Sequence, residues 1–238
     1  MRSLRATTVW AGGALIVLLG LGTWQLERLA WKNGLIAERQ AGLAAAPAEP
    51  PANLDAARAL VFHPVHVAGR FLNDREMPVA TIARNGQAGF DIVTPFLTGE
   101  RTVLLIDRGF VPSELREPET RAAGLIEGPT ELTGLLRLDA GKPSWFTPDN
   151  VPTRNAWYFI DVAAMGKAAT PLADVLPYYL DADATLNEGG WPQGGQTVID
   201  LPNHHLQYAI TWYALAAGLA GVYIAYVRRR RAAPPDSP

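Results

Sequence analysis

From Ala6 to Leu26 the chain carries no charged residue, and Ala14, Leu15, Ile16, Val17, Leu18 and Leu19 are apolar on every face of a helix rather than along one stripe. At 1.5 Å rise per residue, about 21 such positions cover the roughly 30 Å hydrocarbon core of a bilayer. A second uncharged run extends from Leu206 to Val227, with Ala216, Ala217, Gly218, Ala220 and Gly221 as small residues suited to close helix packing. The pattern predicts two transmembrane helices. A secretory signal is the rival for the first, since Arg2 and Arg5 resemble a positive n-region. Such a signal has an apolar core of about 7 to 15 residues followed closely by a small-x-small cleavage site. Here Trp24, Gln25, Glu27 and Arg28 follow instead, and the segment is expected to be retained.

Between the two runs the periodicity changes. Leu29, Leu35, Ile36 and Leu43 recur loosely at helical intervals, so the first helix is expected to continue out of the membrane until Pro47, Pro50 and Pro51 forbid it. Val65 to Phe71 alternates as a strand does, and Val79 to Ala83 leads through Asn85-Gly86 to Phe90 to Phe96 as a hairpin. Thr102 to Val111, Thr130 to Leu138, Ala156 to Ile160 and Leu176 to Leu180 are further predicted strands, and Asp161 to Ala169 is a predicted helix with Asp161 as its N-cap. The fold class is therefore a membrane protein in which two transmembrane helices flank a β-rich α+β extramembrane domain, the latter a closed or half-closed barrel. No repeat of fixed period is apparent.

Residues 1–6 and 228–238 form the predicted tails, 7–27 and 206–227 the spans, and 28–205 the extramembrane domain. Arg2 and Arg5 at one end and Arg228 to Arg231 at the other place both termini in the cytoplasm under the positive-inside rule. The central domain is then periplasmic, on the outer side of a cell inner membrane. Trp24 on the first helix and Tyr208, Trp212 and Tyr213 on the second fall near one interface, as an aromatic belt does. The whole chain is near neutral, formal charge -2, but without the tails roughly 15 basic residues face 22 acidic ones. Such a balance excludes nucleic acid as a partner. The absence of cysteine excludes disulfides, thiolate metal sites and thiol nucleophiles.

Catalytic constellations are missing. Ser3 and Ser237 sit in the tails, and neither Ser113 nor Ser144 has a Gly-x-Ser-x-Gly elbow around it. No Walker loop or dinucleotide glycine fingerprint occurs. Asp181 and Asp183 share one face of a strand, and such a pair is expected to be solvated surface. The histidines carry more information, because imidazole binds iron, copper and zinc. His63 and His66 are three apart, which on an extended strand sends the rings to opposite faces. His204 and His205 are adjacent, about 100° apart on a helix, so they do not share a face. Trp212 follows His205 by seven residues, nearly on the same face and about 10 Å deeper, with Tyr208 beside it. One imidazole above a flat aromatic surface suits a haem, with His205 as the axial ligand and its other ring nitrogen in need of a hydrogen-bond partner. Arg28, four residues after Trp24, is placed to pair with a haem propionate. The plainer alternatives are an interfacial histidine above an ordinary aromatic belt and an arginine that snorkels to lipid headgroups.

Gly22-Thr23-Trp24-Gln25-Leu26-Glu27-Arg28 resembles the Gly-x-Trp-Gln-x-x-Arg signature of the surfeit locus protein 1 family, the cytochrome c oxidase assembly factors. Asn203-His204-His205-Leu206-Gln207-Tyr208-Ala209-Ile210-Thr211-Trp212 is similar to that family's entry into its second anchor. Val67-Ala68-Gly69-Arg70-Phe71, Gly89 to Phe96 and Asp107-Arg108-Gly109-Phe110-Val111-Pro112 resemble its middle motifs, in order along nearly the whole chain. The resemblance implies a non-enzymatic inner-membrane chaperone of the respiratory chain. It would assist haem a insertion into cytochrome c oxidase subunit I alongside other assembly factors, binding or presenting haem a transiently. The alternative role is a scaffold that binds no haem and stabilises an oxidase assembly intermediate. The resemblance carries haem contact onto His205, as ligand of the haem iron, and onto Trp212, with Tyr208, Trp24 and Arg28 around them. Two positions depart from the pattern: His204 adds a competing imidazole at a variable position, and Phe110 stands where many members carry tryptophan.

Overall fold

The computed structural model describes residues 2–83, 85–197 and 203–232. Met1, Arg84, 198–202 and 233–238, and with them Asp236 and Ser237, lie outside the described residues. The chain divides into two compact units, one of residues 1–38 and 200–238, the other of residues 39–199.

The first unit is helical. Helix α1 runs over Arg2–Leu43 and ends where the proline-rich stretch begins, as the pattern predicts. Its last turn belongs to the second unit. The other long helix of this unit covers His205–Ala232 and takes in all four arginines from Arg228 to Arg231. Both helices are long and apolar enough to cross a membrane. The chain is thus a membrane protein with a transmembrane helix at either end of a β-rich domain.

The second unit contains short helices α2 (Leu54–Ala59) and α3 (Val162–Ala169). It also holds the strands β1 (Pro64–Phe71), β2 (Met77–Ile82), β3 (Ala88–Leu97), β4 (Thr102–Pro112), β5 (Thr130–Arg137) and β6 (Asp174–Ala182). The C-terminal helix His205–Ala232 is accordingly α4. The strand order is β1-β5-β6-β4-β3-β2, and a further pairing of β1 with β3 closes the first five into a barrel. One edge of β3 makes both contacts. Its first part pairs with β2, and Phe96 and Leu97 pair with Phe71 and Arg70 of β1. The β4–β6 pairing is parallel and the others are antiparallel.

Alternation along the strands separates two cores. Val65 and Val67 of β1, Phe96 of β3, Leu104 and Ile106 of β4, Leu136 of β5 and Leu180 of β6 converge in the barrel interior, where α2 contributes Ala57. The intervening positions Val93, Leu105 and Tyr179 face outward. There α3 covers them with Val162, Met165 and Ala169, joined by Trp157. Covering on both faces leaves β4 buried along almost its whole length, Asp107 and Arg108 interrupting an otherwise apolar strand. At the head of α3 the Asp161 carboxylate accepts from the Ala164 amide at 2.8 Å, the N-cap the sequence predicts. The β2–β3 turn carries Gly86 at φ +83°, and the Asn85 side chain accepts from the Gln87 amide at 3.0 Å.

One expectation is corrected and one element is added. Ala156 to Ile160 forms no strand: Ala156 and Trp157 make only isolated bridges, because Asn155 takes a left-handed conformation at φ 48° and turns the chain there. Helix α2, unforeseen for want of a long periodic pattern, is nucleated by Asn53, whose side chain accepts from the Ala56 amide at 3.0 Å.

Candidate functional site

The helical unit joins the two ends of the chain through polar contacts between α1 and α4. The hydroxyls of Thr8 and Tyr223 share a hydrogen bond of 2.7 Å, and those of Thr23 and Tyr213 one of 3.1 Å. Asn203 donates to Asn33 at 2.8 Å. Gly22 leaves room for the Tyr213 ring, since a Cβ there would lie 2.9 Å from two ring carbons. Ala209 and Ala216, seven residues apart, are the buried residues of α4. They mark a contact stripe on a helix that is apolar all round.

His205 stands at the N-terminus of α4, half-buried, with its Nδ1 2.7 Å from Oε1 of Gln25 on α1. With the amide oxygen of Gln25 toward it, Nδ1 is the donor of this bond, and among the described residues Nε2 has no hydrogen-bond partner. This is the arrangement in which ligating histidines are held, one nitrogen anchored and the other free for a metal. His204 is exposed, and its backbone carbonyl accepts from Tyr208 in the first turn. The geometry therefore distinguishes the two neighbouring imidazoles: His205 is oriented by α1, while His204 points outward.

The remaining residues predicted for the site are placed less tightly. Trp24 and Tyr208 are more than half exposed and Trp212 is half-buried. They offer flat apolar surface on the two helices. The Arg28 guanidinium lies 3.9 Å over the Trp31 ring, a cation–π contact one turn along α1, and not over Trp24. Gln25 carries the decisive contact. Composition and single-helix spacing do not reveal it, because its partner lies 180 positions away. His205, bonded to Gln25 through Nδ1, thus stands on the same two helices as Trp24, Tyr208 and Trp212.

The barrel unit explains the middle motifs differently. Arg108 and Arg121 both donate to the carboxylate of Glu76, and all three side chains are buried. Arg108 also donates to the Gly124 carbonyl and packs 4.6 Å over the Phe71 ring. Burial draws the Arg108 guanidinium down to about 10, against the pull of Glu76. Gly109, at φ +107°, lets the backbone at Gln193 pair with Phe110. Phe110 is itself buried, 6.4 Å from Trp191.

A cavity of about 240 Å³ beside these residues is lined by Asp91, Asp107, Arg137 and Asp181. Burial pushes the Asp91 carboxyl up to about 6, with Thr81 opposing and Asp181 adding to it. Burial also raises Asp107 well above the carboxylate range, helped by Asp91 and Asp181. Burial raises Asp181 too, offset by Arg137 at 2.7 Å and the Thr197 hydroxyl at 2.6 Å. Asp181 is thus no solvated surface residue, contrary to expectation, while Asp183 beyond β6 is exposed. His63 precedes β1 and contacts the Val61 carbonyl, whereas His66 on β1 faces Glu131 at 3.5 Å. The two do not form a joint site.

Residues 13–217 match the SURF1 family. The chain is 39% identical over 229 residues to a SURF1-like protein of Monosiga brevicollis, covering 90% of this chain and 85% of that one. It is 38% identical over 218 residues to surfeit locus protein 1 of Homo sapiens, covering 85% and 71%. To its counterpart in Mus musculus it is 37% identical over 226 residues, covering 88% and 72%.

Proposed function

The chain belongs to the SURF1 family, and from that premise we propose that it assists assembly of a haem-copper cytochrome c oxidase. In this reading it presents haem a, as cargo, for insertion into subunit I. Both termini lie in the cytoplasm and the barrel on the periplasmic side of the inner membrane, because six arginines flank the outer ends of the two spans. No covalent step is required of the protein. What it contributes is a binding surface and an oriented ligand.

The observation that supports this reading is the hydrogen bond between His205 Nδ1 and Gln25. It holds the ring in the tautomer that offers Nε2 to iron, and it raises the basicity of that nitrogen. Trp212, Tyr208 and Trp24 supply apolar surface for the macrocycle, and Arg28 supplies a cation for a propionate if it leaves Trp31. A single protein ligand suits handover, since a site that held both axial positions strongly would retain its cargo.

The test is to purify the protein from cells that make haem a and record its optical spectrum, with His205→Ala and His204→Ala beside it. Loss of haem in His205→Ala, with His204→Ala unchanged, is the expected result. Haem content unaffected by His205→Ala removes the ligand assignment. An absence of haem from every form favours the scaffold role, in which the helices and barrel stabilise an oxidase intermediate without cargo.

A further inference from the structure

A cavity of about 740 Å³ opens on the barrel unit between residues 123–127, residues 183–188 and the β1–β5 face. Its floor is apolar, formed by the half-buried Leu125, Ile126 and Leu132. Its rim is acidic, with Glu127, Glu131, Asp183 and Glu188 all exposed. Among the described residues no ion pair engages Glu127, Asp183 or Glu188, and Glu131 faces only the His66 imidazole. Arg108, at the back, is already committed to Glu76 and the Gly124 carbonyl. Leu186 stands at the mouth with 88% of its surface exposed. The proposed haem site uses none of these residues.

We propose that this groove docks a basic, extended segment of a partner polypeptide, with aliphatic side chains on the floor and Lys or Arg side chains against the rim. The charge pattern selects the occupant. Unpaired carboxylates around an apolar floor repel phosphate and carboxylate groups, and they complement ammonium or guanidinium groups carried on aliphatic stems. Residues 39–199 carry 13 basic and 19 acidic residues, a field that steers a cationic partner to the groove. The volume lies in the range that accepts several side chains at once, which a lone small cation leaves largely unfilled. An exposed leucine beside the carboxylates adds apolar area that only an amphipathic partner buries.

The experiment uses the full chain in nanodiscs of phosphatidylcholine, with empty nanodiscs as the blank. The probe is a fluorescein-labelled peptide of alternating Lys and Val, read by anisotropy, and its counterpart carries Glu for every Lys. The expected result is salt-sensitive binding of the basic peptide only, with hydrogen exchange slowed at 123–127 and 183–188. Glu127→Gln with Glu188→Gln should weaken binding about tenfold, and Leu186→Ser should weaken it several-fold with melting temperature unchanged. Glu114→Gln with Glu119→Gln, exposed carboxylates outside the groove, should leave it as it is. Equal loss in both double variants would mean diffuse attraction and would overturn the proposal. So would binding of the acidic peptide, protection elsewhere, or displacement by spermidine at the concentration of the peptide itself.

Discussion

Asp107 on β4 and Asp181 on β6 are register partners in the parallel pairing of the barrel, two carboxylates side by side in the sheet. Asp91 on β3 lines the same cavity, and Arg137 pairs with Asp181 at 2.7 Å. Burial makes all three take up protons more readily than free aspartate does, and the excess of negative charge, three acids with one cation, adds to this at Asp91 and Asp107.

The burial of these carboxyls fixes the sign of a pH dependence. The folded carboxyls have raised pKa values, about 6 for Asp91, so between pH 4 and the folded pKa the native state binds more protons than the unfolded one. Their contribution is fully present below the ordinary carboxylate range and is lost as pH rises through about 6. For Asp91 alone the loss is on the order of 3 kcal/mol. Asp107→Asn keeps an oxygen to accept from the Gly109 amide and removes a charge. It should raise the melting temperature at pH 8 and change it little at pH 5. An equal effect at both pH values would show that the charge is not what the site resists.

The Glu76 carboxylate offers the opposite case, an acid between two guanidinium groups with side-chain exposures of 4% for Glu76 and 2% for Arg108 and Arg121. Glu76→Gln strands two buried cations. Breaking such a network costs about 3–5 kcal/mol. For a chain of this size that lowers the melting temperature by roughly 6–20 °C. Near-UV circular dichroism of the full chain in detergent measures it, and a shift within about 2 °C of the parent would mean the pairing carries little weight.

Much of this was legible in the sequence, and the reasons differ by element. The two spans announce themselves because runs of about twenty uncharged residues, apolar on every helical face, match the thickness of a bilayer. The barrel strands show through alternation and turn residues, so Phe90 to Phe96 falls inside β3 and Leu176 to Leu180 inside β6. Ala156 to Ile160 deceived because an aromatic-rich run satisfies strand propensity, whereas the left-handed Asn155 decides the local path. There Trp157 donates to the Asn155 side chain at 2.7 Å, and the same amide donates to the Glu76 carbonyl. In the candidate site the proposal for His205 rests on helical spacing and motif. Its partner Gln25 was not legible, because a contact between segments at opposite ends of the chain leaves no periodic trace. The acid cluster was hidden for the same reason: Asp91, Asp107 and Asp181 come together only when β3, β4 and β6 lie side by side.

Gly22 tests whether the pairing of α1 with α4 matters. With only 2.9 Å between a Cβ and the Tyr213 ring, Gly22→Ala pushes the ring aside and Gly22→Leu overpacks the contact, at a cost of about 1–3 kcal/mol. The hydrogen bonds between Thr23 and Tyr213 and between Gln25 and His205 lie within one turn of it and should fail together. The chain has no cysteine, so Thr8→Cys with Tyr223→Cys gives a clean reporter. A short bis-maleimide should join the pair in the parent, less in Gly22→Ala and several-fold less in Gly22→Leu. Equal yields in all three would mean the helices are held together elsewhere.

The orientation of the whole protein depends on the arginines. Moving Arg228, Arg229, Arg230 and Arg231 through the hydrocarbon core opposes insertion by about 2.5–3.5 kcal/mol for each one at the centre, so the end of α4 stays where it is made. In the proposed topology Arg2 and Arg5 hold the start of α1 on the same side, with the barrel across the membrane. Ala140 in the barrel unit and Ala232 at the end of α4 are both exposed. In cells stripped of their outer layer, a membrane-impermeant maleimide should label Ala140→Cys and leave Ala232→Cys unlabelled until the membrane is opened. Replacing the four C-terminal arginines by serine should weaken the asymmetry, with a fraction of molecules now labelled at Ala232→Cys. Labelling of Ala232→Cys before the membrane is opened, in the unaltered protein, would reverse the assigned sides and move the His205 site to the cytoplasmic face.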